Sequence, residues 1–143
     1  MEPYRHPLAP RYLEIDQQGV VFNAWYLAYF DDAMTAFLGA RGLPYAQLMA
    51  DGYDVMLKRT EIDWSAGLRY GDDAAIVVDV ASIGTTSFVL SFDVVRAGAD
   101  GAAGSGEETV CRGRTVYVMV TAPGNEKTPV PDRIRALLTG GEG

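Results

Sequence analysis

Asp16 stands alone in the stretch IDQQGVVFNAWYLAYFDDA, residues 15–33. Two glutamines and Gly19 follow it, and an aromatic-rich run starts at Asn23. A carboxylate can act as a general base or as a nucleophile. The first N–H groups of a helix have no partner within it and carry partial positive charge. They can therefore stabilise negative charge that develops on an oxygen. The Asp16-to-Asn23 spacing puts both devices in one small region, and Gly19 would let backbone approach a substrate closely. A plainer reading stands beside this one: Asp16 as a turn residue bonding loop backbone, and Asn23 as a helix N-cap. The two readings of Asn23 are compatible.

The elements that must position these residues follow from the hydrophobic pattern. PRYLEID, residues 10–16, alternates as a short strand would. NAWYLAYFDDAMTAFLGARG reads as a long helix. Ala24, Leu27, Phe30, Met34, Phe37 and Leu38 recur at steps of three and four, with Gly39 and Gly42 as terminators. PYAQLMADG, 44–52, gives a short helical turn after Pro44. Period-two patterning then predicts strands near 53–63, 73–83, 86–96 and 109–121, with Gly84 marking a tight connection. The glycine- and alanine-rich stretch 97–108 fits a hairpin loop, and 132–140 a last short helix before a frayed GGEG end. A strand, a long helix and four antiparallel strands make an α+β arrangement. One sheet face packs on the helix, and apolar residues on the other point to self-association.

The chain has 143 residues, 48% of them hydrophobic, enough for one domain with a real core. Its formal charge of -7 argues against nucleic acid as a partner. The single cysteine, Cys111, has no disulfide partner and reads as a small buried strand residue. MEPYRHPLAP lacks the apolar core of a signal peptide, and no apolar run approaches the roughly 20 residues that span a bilayer. The expectation is a cytoplasmic protein with no membrane partner. His6 is the only histidine and no nucleophile elbow exists, which counts against a histidine-dependent triad. Asp31 and Asp32 are adjacent on a helix, so they point apart and read as solvated or interfacial. Trp25, Tyr26 and Tyr29 read as helix-packing or interface residues, or as contacts to a substrate.

These residues resemble a known family. DQQGVVFNAWYLAYFDDA looks like the signature of hotdog-fold acyl-CoA thioesterases of the 4-hydroxybenzoyl-CoA thioesterase and YbgC-like group. Asp16, Gly19, Val20, Val21, Asn23, Tyr26 and Phe30 fill its pattern. IDWSAGLRYGD, 62–72, has the frame of a second family segment. Arg69, Tyr70, Gly71 and Asp72 match it; Trp64 replaces Tyr, and Gly67 and Leu68 stand where Pro and Ala are usual. Gly84 with Ser87 gives a third match. Together the three cover about residues 10–121.

The resemblance implies one hotdog domain over 1–143, core about 8–122 and tail 123–143: a five-stranded antiparallel sheet wrapped around one long central helix. It also implies dimers or tetramers with active sites at the dimer interface, and no metal or other cofactor. The reaction would be hydrolysis of acyl-CoA or acyl-carrier-protein thioesters. Asp16 would act as general base or nucleophile, and the backbone N–H at Asn23 would polarise the carbonyl. Gly19, Val20, Val21, Tyr26, Arg69 and Ser87 are the substrate-binding candidates. Lys58, Arg59, Arg69, Arg112 and Arg114 are candidates for the coenzyme A phosphates, with Arg112 and Arg114 sharing a strand face. Two other readings remain: a polyketide-pathway hotdog thioesterase acting on carrier-bound chains, and a non-catalytic module that binds acyl thioesters. The -7 charge disfavours steering of an acidic carrier protein.

Overall fold

The computed structural model describes residues 3–98 and 106–140. Five antiparallel strands form one sheet in the order β1-β3-β4-β5-β2. They are β1 (Tyr4–Leu8), β2 (Tyr53–Trp64), β3 (Ala74–Ile83), β4 (Ser87–Arg96) and β5 (Glu108–Thr121). Three helices, α1 (Trp25–Ala40), α2 (Tyr45–Ala50) and α3 (Asp132–Thr139), complete the α+β arrangement. The expected 97–108 loop falls mostly outside the described residues, as does most of the GGEG end.

Helix α1 lies across one sheet face, packed on β1 and β3. Its buried stripe includes Tyr26, Tyr29, Phe30, Ala33, Met34, Phe37 and Leu38, at steps of three and four. Phe30 stacks on Phe92 with ring centroids 4.6 Å apart. That seat exists because β5 carries Gly113 beneath it; a Cβ there would run into the Phe30 ring. Gly42, at φ +92°, ends the helical course as expected, whereas Gly39 lies inside α1.

Two expectations need correction. Residues 10–16 are not a strand: Tyr12–Glu14 form a single 3-10 turn, and only Ile15 bridges to Val21. The alternation misleads because the Glu14 side chain faces inward. Its carboxylate takes the Arg11 N–H at 2.8 Å, and that bond tightens the turn. The first strand is instead β1, on the sheet edge and paired with β3 from Tyr4↔Val78 to Leu8↔Ala74. Pro7 is tolerated there because an edge strand pairs on one side only. Finally, Asn23 is not the N-cap. Ala24 holds that position with helical dihedrals and no side-chain cap. The chain already turns before the helix: the Trp25 N–H donates to the Phe22 carbonyl at 3.0 Å, and the Tyr26 N–H to that of Asn23 at 3.3 Å.

Candidate active site

Asp16 opens a tight turn that Val20 closes. The Asp16 N–H donates to the Val20 carbonyl at 2.8 Å, and the Gly19 N–H to the Asp16 carbonyl at 3.0 Å. Gly19 sits at φ +80°, a conformation that side-chain-bearing residues rarely adopt. Asp16 Oδ1 accepts the Gln18 N–H at 2.8 Å. Oδ2 receives no hydrogen bond from the described residues. The turn reading of Asp16 thus accounts for one carboxylate oxygen and leaves the other available.

Neighbours on both sides hold this turn. The Val21 N–H donates to the Leu68 carbonyl at 2.8 Å, and the Phe22 N–H to that of Glu14 at 2.9 Å. The Glu14 side chain is 3% exposed. Besides the Arg11 N–H, its carboxylate accepts Arg11 Nε at 3.0 Å and the Tyr29 hydroxyl at 2.6 Å. Burial alone would push Glu14 up; these donors outweigh it and hold the carboxyl below its ordinary range. Burial, then Glu14, raises Tyr29, so it remains a protonated donor. Gly67 packs against the turn from the other side, where a Cβ would stand 2.7 Å from Val20 Cγ1. Gly67, which departs from the family pattern, therefore makes room for Val20. Leu68, the other departure, is fully buried and offers its carbonyl to Val21.

A cleft of about 260 Å³ results, lined by Asp16, Gln18, Val20, Val21, Asn23, Tyr26, Trp64, Ala66 and Gly67. Its walls are mainly apolar. The Tyr26 ring meets Trp64 edge-on at 5.8 Å. The backbone N–H groups of Asn23 and Ala24 donate to no group among the described residues. One cleft is therefore lined by both Asp16, with its open carboxylate oxygen, and Asn23, with its unpaired amide. Arg69 Nη1 lies 3.8 Å from where a Cβ on Gly19 would be. Arg69 has no carboxylate partner among the described residues, so its charge is open beside the cleft.

The structure does not bring the other candidates here. Ser87 begins β4, while Arg96 at the other end donates to the Gly67 carbonyl at 2.9 Å. Nine residue steps, about 30 Å of strand, separate them. Arg112 and Arg114 lie exposed on the face of β5 opposite the buried Cys111, Gly113 and Thr115, and Arg112 faces Asp93 at 3.9 Å. Arg59 pairs with Glu61 at 2.5 Å. Asp31 and Asp32 line no part of this cleft. Asp31 is raised by burial and by Asp32 beside it. Cys111 is fully buried, as expected, and burial pushes its thiol up to about 12. Among the described residues no cluster of three His, Cys, Asp or Glu side chains could hold a metal.

The sheet, the helix across it and the carboxylate turn at that helix's amino end define a class: α+β domains of hotdog type. Residues 10–138 match the model of the thioesterase-like superfamily, and the chain belongs to that family. The acyl-CoA thioester hydrolase YbgC of Escherichia coli O6:H1 is 28% identical over 94 residues, 66% of this chain and 70% of that protein. A 1,4-dihydroxy-2-naphthoyl-CoA hydrolase of Synechococcus elongatus is 21% identical over 140 residues, 96% of each chain. The crystal structure of a thioesterase superfamily protein from Jannaschia sp. CCS1 shares the fold. Its TM-score is 0.85 at 18% identity, covering 99% of this chain and 94% of that one.

Proposed function

We propose that the chain hydrolyses acyl-CoA thioesters to a free acid and coenzyme A. The observation that carries this reading is the pairing of the open Asp16 oxygen with the unpartnered Asn23 amide in one largely apolar cleft. In the general-base route, Asp16 takes a proton from water as the water oxygen bonds to the thioester carbon. The carbonyl oxygen becomes an oxyanion and accepts from the Asn23 amide. Collapse breaks the C–S bond, and the leaving thiolate takes the proton back from Asp16. In the nucleophilic route, an Asp16 oxygen attacks the same carbon and expels the thiolate, and water then cleaves the mixed anhydride. Val20, Val21 and Tyr26 would line the acyl group, and Arg69 would meet an anionic part of coenzyme A near the mouth.

A chain of charge -7 steers neither an acidic carrier protein nor the anionic coenzyme from a distance, so either donor relies on local positive charge such as Arg69. The family resemblance further supports a single hotdog domain, its sheet wrapped around α1, acting as a cytoplasmic dimer or tetramer without a cofactor. The test is thiol release from a panel of aliphatic and aromatic acyl-CoAs, comparing wild type with Asp16→Asn. The variant stays folded and loses about a hundredfold or more in kcat. Equal activity in the two proteins would reduce Asp16 to a turn residue and defeat the mechanism.

A further inference from the structure

A second cleft, of about 590 Å³, lies between α3 and the far half of β3. It is more than twice the volume of the one at Asp16 and sits at the other end of α1. The 16 residues of that helix put about 24 Å between the two ends.

Arg41 and Arg135 line this second cleft, with the hydroxyl residues Ser82 and Thr139. Both arginines are half-buried and fixed in place. The Arg41 guanidinium stacks on the Phe37 ring at 4.6 Å, and its Nη1 donates to the Leu137 carbonyl at 2.7 Å. Arg135 Nη2 donates to the Gly84 carbonyl at 2.8 Å. Each guanidinium thus has its orientation set by a neutral carbonyl and keeps further N–H donors unengaged. Neither has a carboxylate within ion-pair distance among the described residues. Arg5, Arg11, Arg59, Arg96, Arg112 and Arg133 all do, and Arg69 and Arg114, which also lack one, lie outside this cleft. In a chain with 19 acidic and 12 basic residues, two uncompensated arginines in one concavity call for an external anion. Asp79 also lines the cleft, but its Oδ1 is turned back to accept the Val80 N–H at 2.8 Å. Two guanidinium charges against one carboxylate leave the cleft net positive. A phosphate dianion matches that charge, and its oxygens suit the donor fork of each guanidinium.

We propose that this cleft binds a phosphate-bearing small molecule through Arg41 and Arg135. The proposal does not depend on the thioesterase reading. Two sources could supply the phosphate: the nucleotide end of coenzyme A, or a separate phosphorylated metabolite.

The test is calorimetric titration of the full chain with inorganic pyrophosphate at low and at physiological salt. Wild type shows saturable binding of one equivalent per chain, weaker at the higher salt. Arg135→Gln, which keeps an amide donor for the Gly84 carbonyl, weakens it at least about tenfold with an unchanged thermal melt. Arg133→Gln, on the same helix but paired with Asp51 outside the cleft, stays within about twofold. Absence of saturable binding in wild type, or equal loss in both variants, overturns the proposal. Displacement of pyrophosphate by free coenzyme A identifies the coenzyme as the source. Failure of coenzyme A to displace it identifies a separate ligand. None of these readouts requires turnover, so inactivity on every thioester would defeat the proposed reaction and leave this result standing.

Discussion

At the scale of single residues, the Asp16 turn depends on Glu14 as much as on its own hydrogen bonds. Glu14 is buried, yet its carboxyl is held below the ordinary value of 4.5 because Arg11 and Tyr29 donate to it. A carboxyl with a depressed folded-state value adds stability above its unfolded value, and that stability is lost as pH falls through the folded one. Glu14→Gln should therefore cost about 1–3 kcal/mol at pH 7, the scale of a charged hydrogen-bonded group deprived of its charge. The gap between variant and wild type should close as pH falls from about 4 downwards. Denaturant melts of both proteins at pH 7 and pH 3 measure it. An equal gap at both pH values would mean that Glu14 acts through shape alone. Asp16 was legible in the sequence because its partners, Gln18, Gly19 and Val20, are its immediate neighbours. Glu14 was not, because Tyr29 lies 15 positions away and burial turns an ordinary surface residue into a tie. Ser87 shows the converse: the strand it begins carries it to the far end of the sheet from the Asp16 cleft of the same chain.

Between elements, close backbone approach decides the shape of the site. Gly67, in the connection from β2 to β3, leaves room for the side chain of Val20 and so sets where the Asp16 turn can lie. Gly67→Ala would bring a methyl group within 2.9 Å of Val20 Cβ and closer still to Cγ1. The turn must move, and a displacement of about 1 Å at a catalytic group can cost about a hundredfold in rate. Gly67→Ala should thus lower kcat at least about tenfold. Adding Val20→Ala, which removes the nearest atoms, should restore part of it. A double-mutant cycle on kcat measures the coupling, and strictly additive effects would show that the two residues do not determine the turn together. No periodicity reveals such a contact; the only sign was a glycine that departs from the pattern the family resemblance implies. The four long strands were legible to within a residue or two, since 10 to 14 residues of alternation leave little ambiguity. The five-residue β1 was not, because it is short and Pro7 interrupts its donors.

For the molecule as a whole, the open question is what covers the β2 side of the sheet. Helix α1 packs mainly on β1 and β3 and the short α2 packs on β2, yet apolar side chains along β2 stay exposed. Leu57 and Trp64 stand opposite Tyr117 and Cys111 in the β2–β5 register, which places them on the helix-bearing face. They are nevertheless each 47% exposed, and Leu27 on α1 is 45% exposed. Trp64 also lines the Asp16 cleft, so anything that covers this edge adjoins the site. Apolar side chains clustered at an unpaired sheet edge favour association, and a second copy of the chain is the occupant that self-association predicts. Light scattering after size-exclusion chromatography should give two or four times the chain mass. Leu57→Lys would change a residue already half in water, so the isolated fold should shift by less than about 0.5 kcal/mol. The same change should split the assembly and lower kcat, although Leu57 is no part of the cleft in one chain. A wild type that is monomeric and fully active would show that a single chain completes its own site. Loss of assembly in Leu57→Lys together with loss of rate would show that the neighbouring copy completes it.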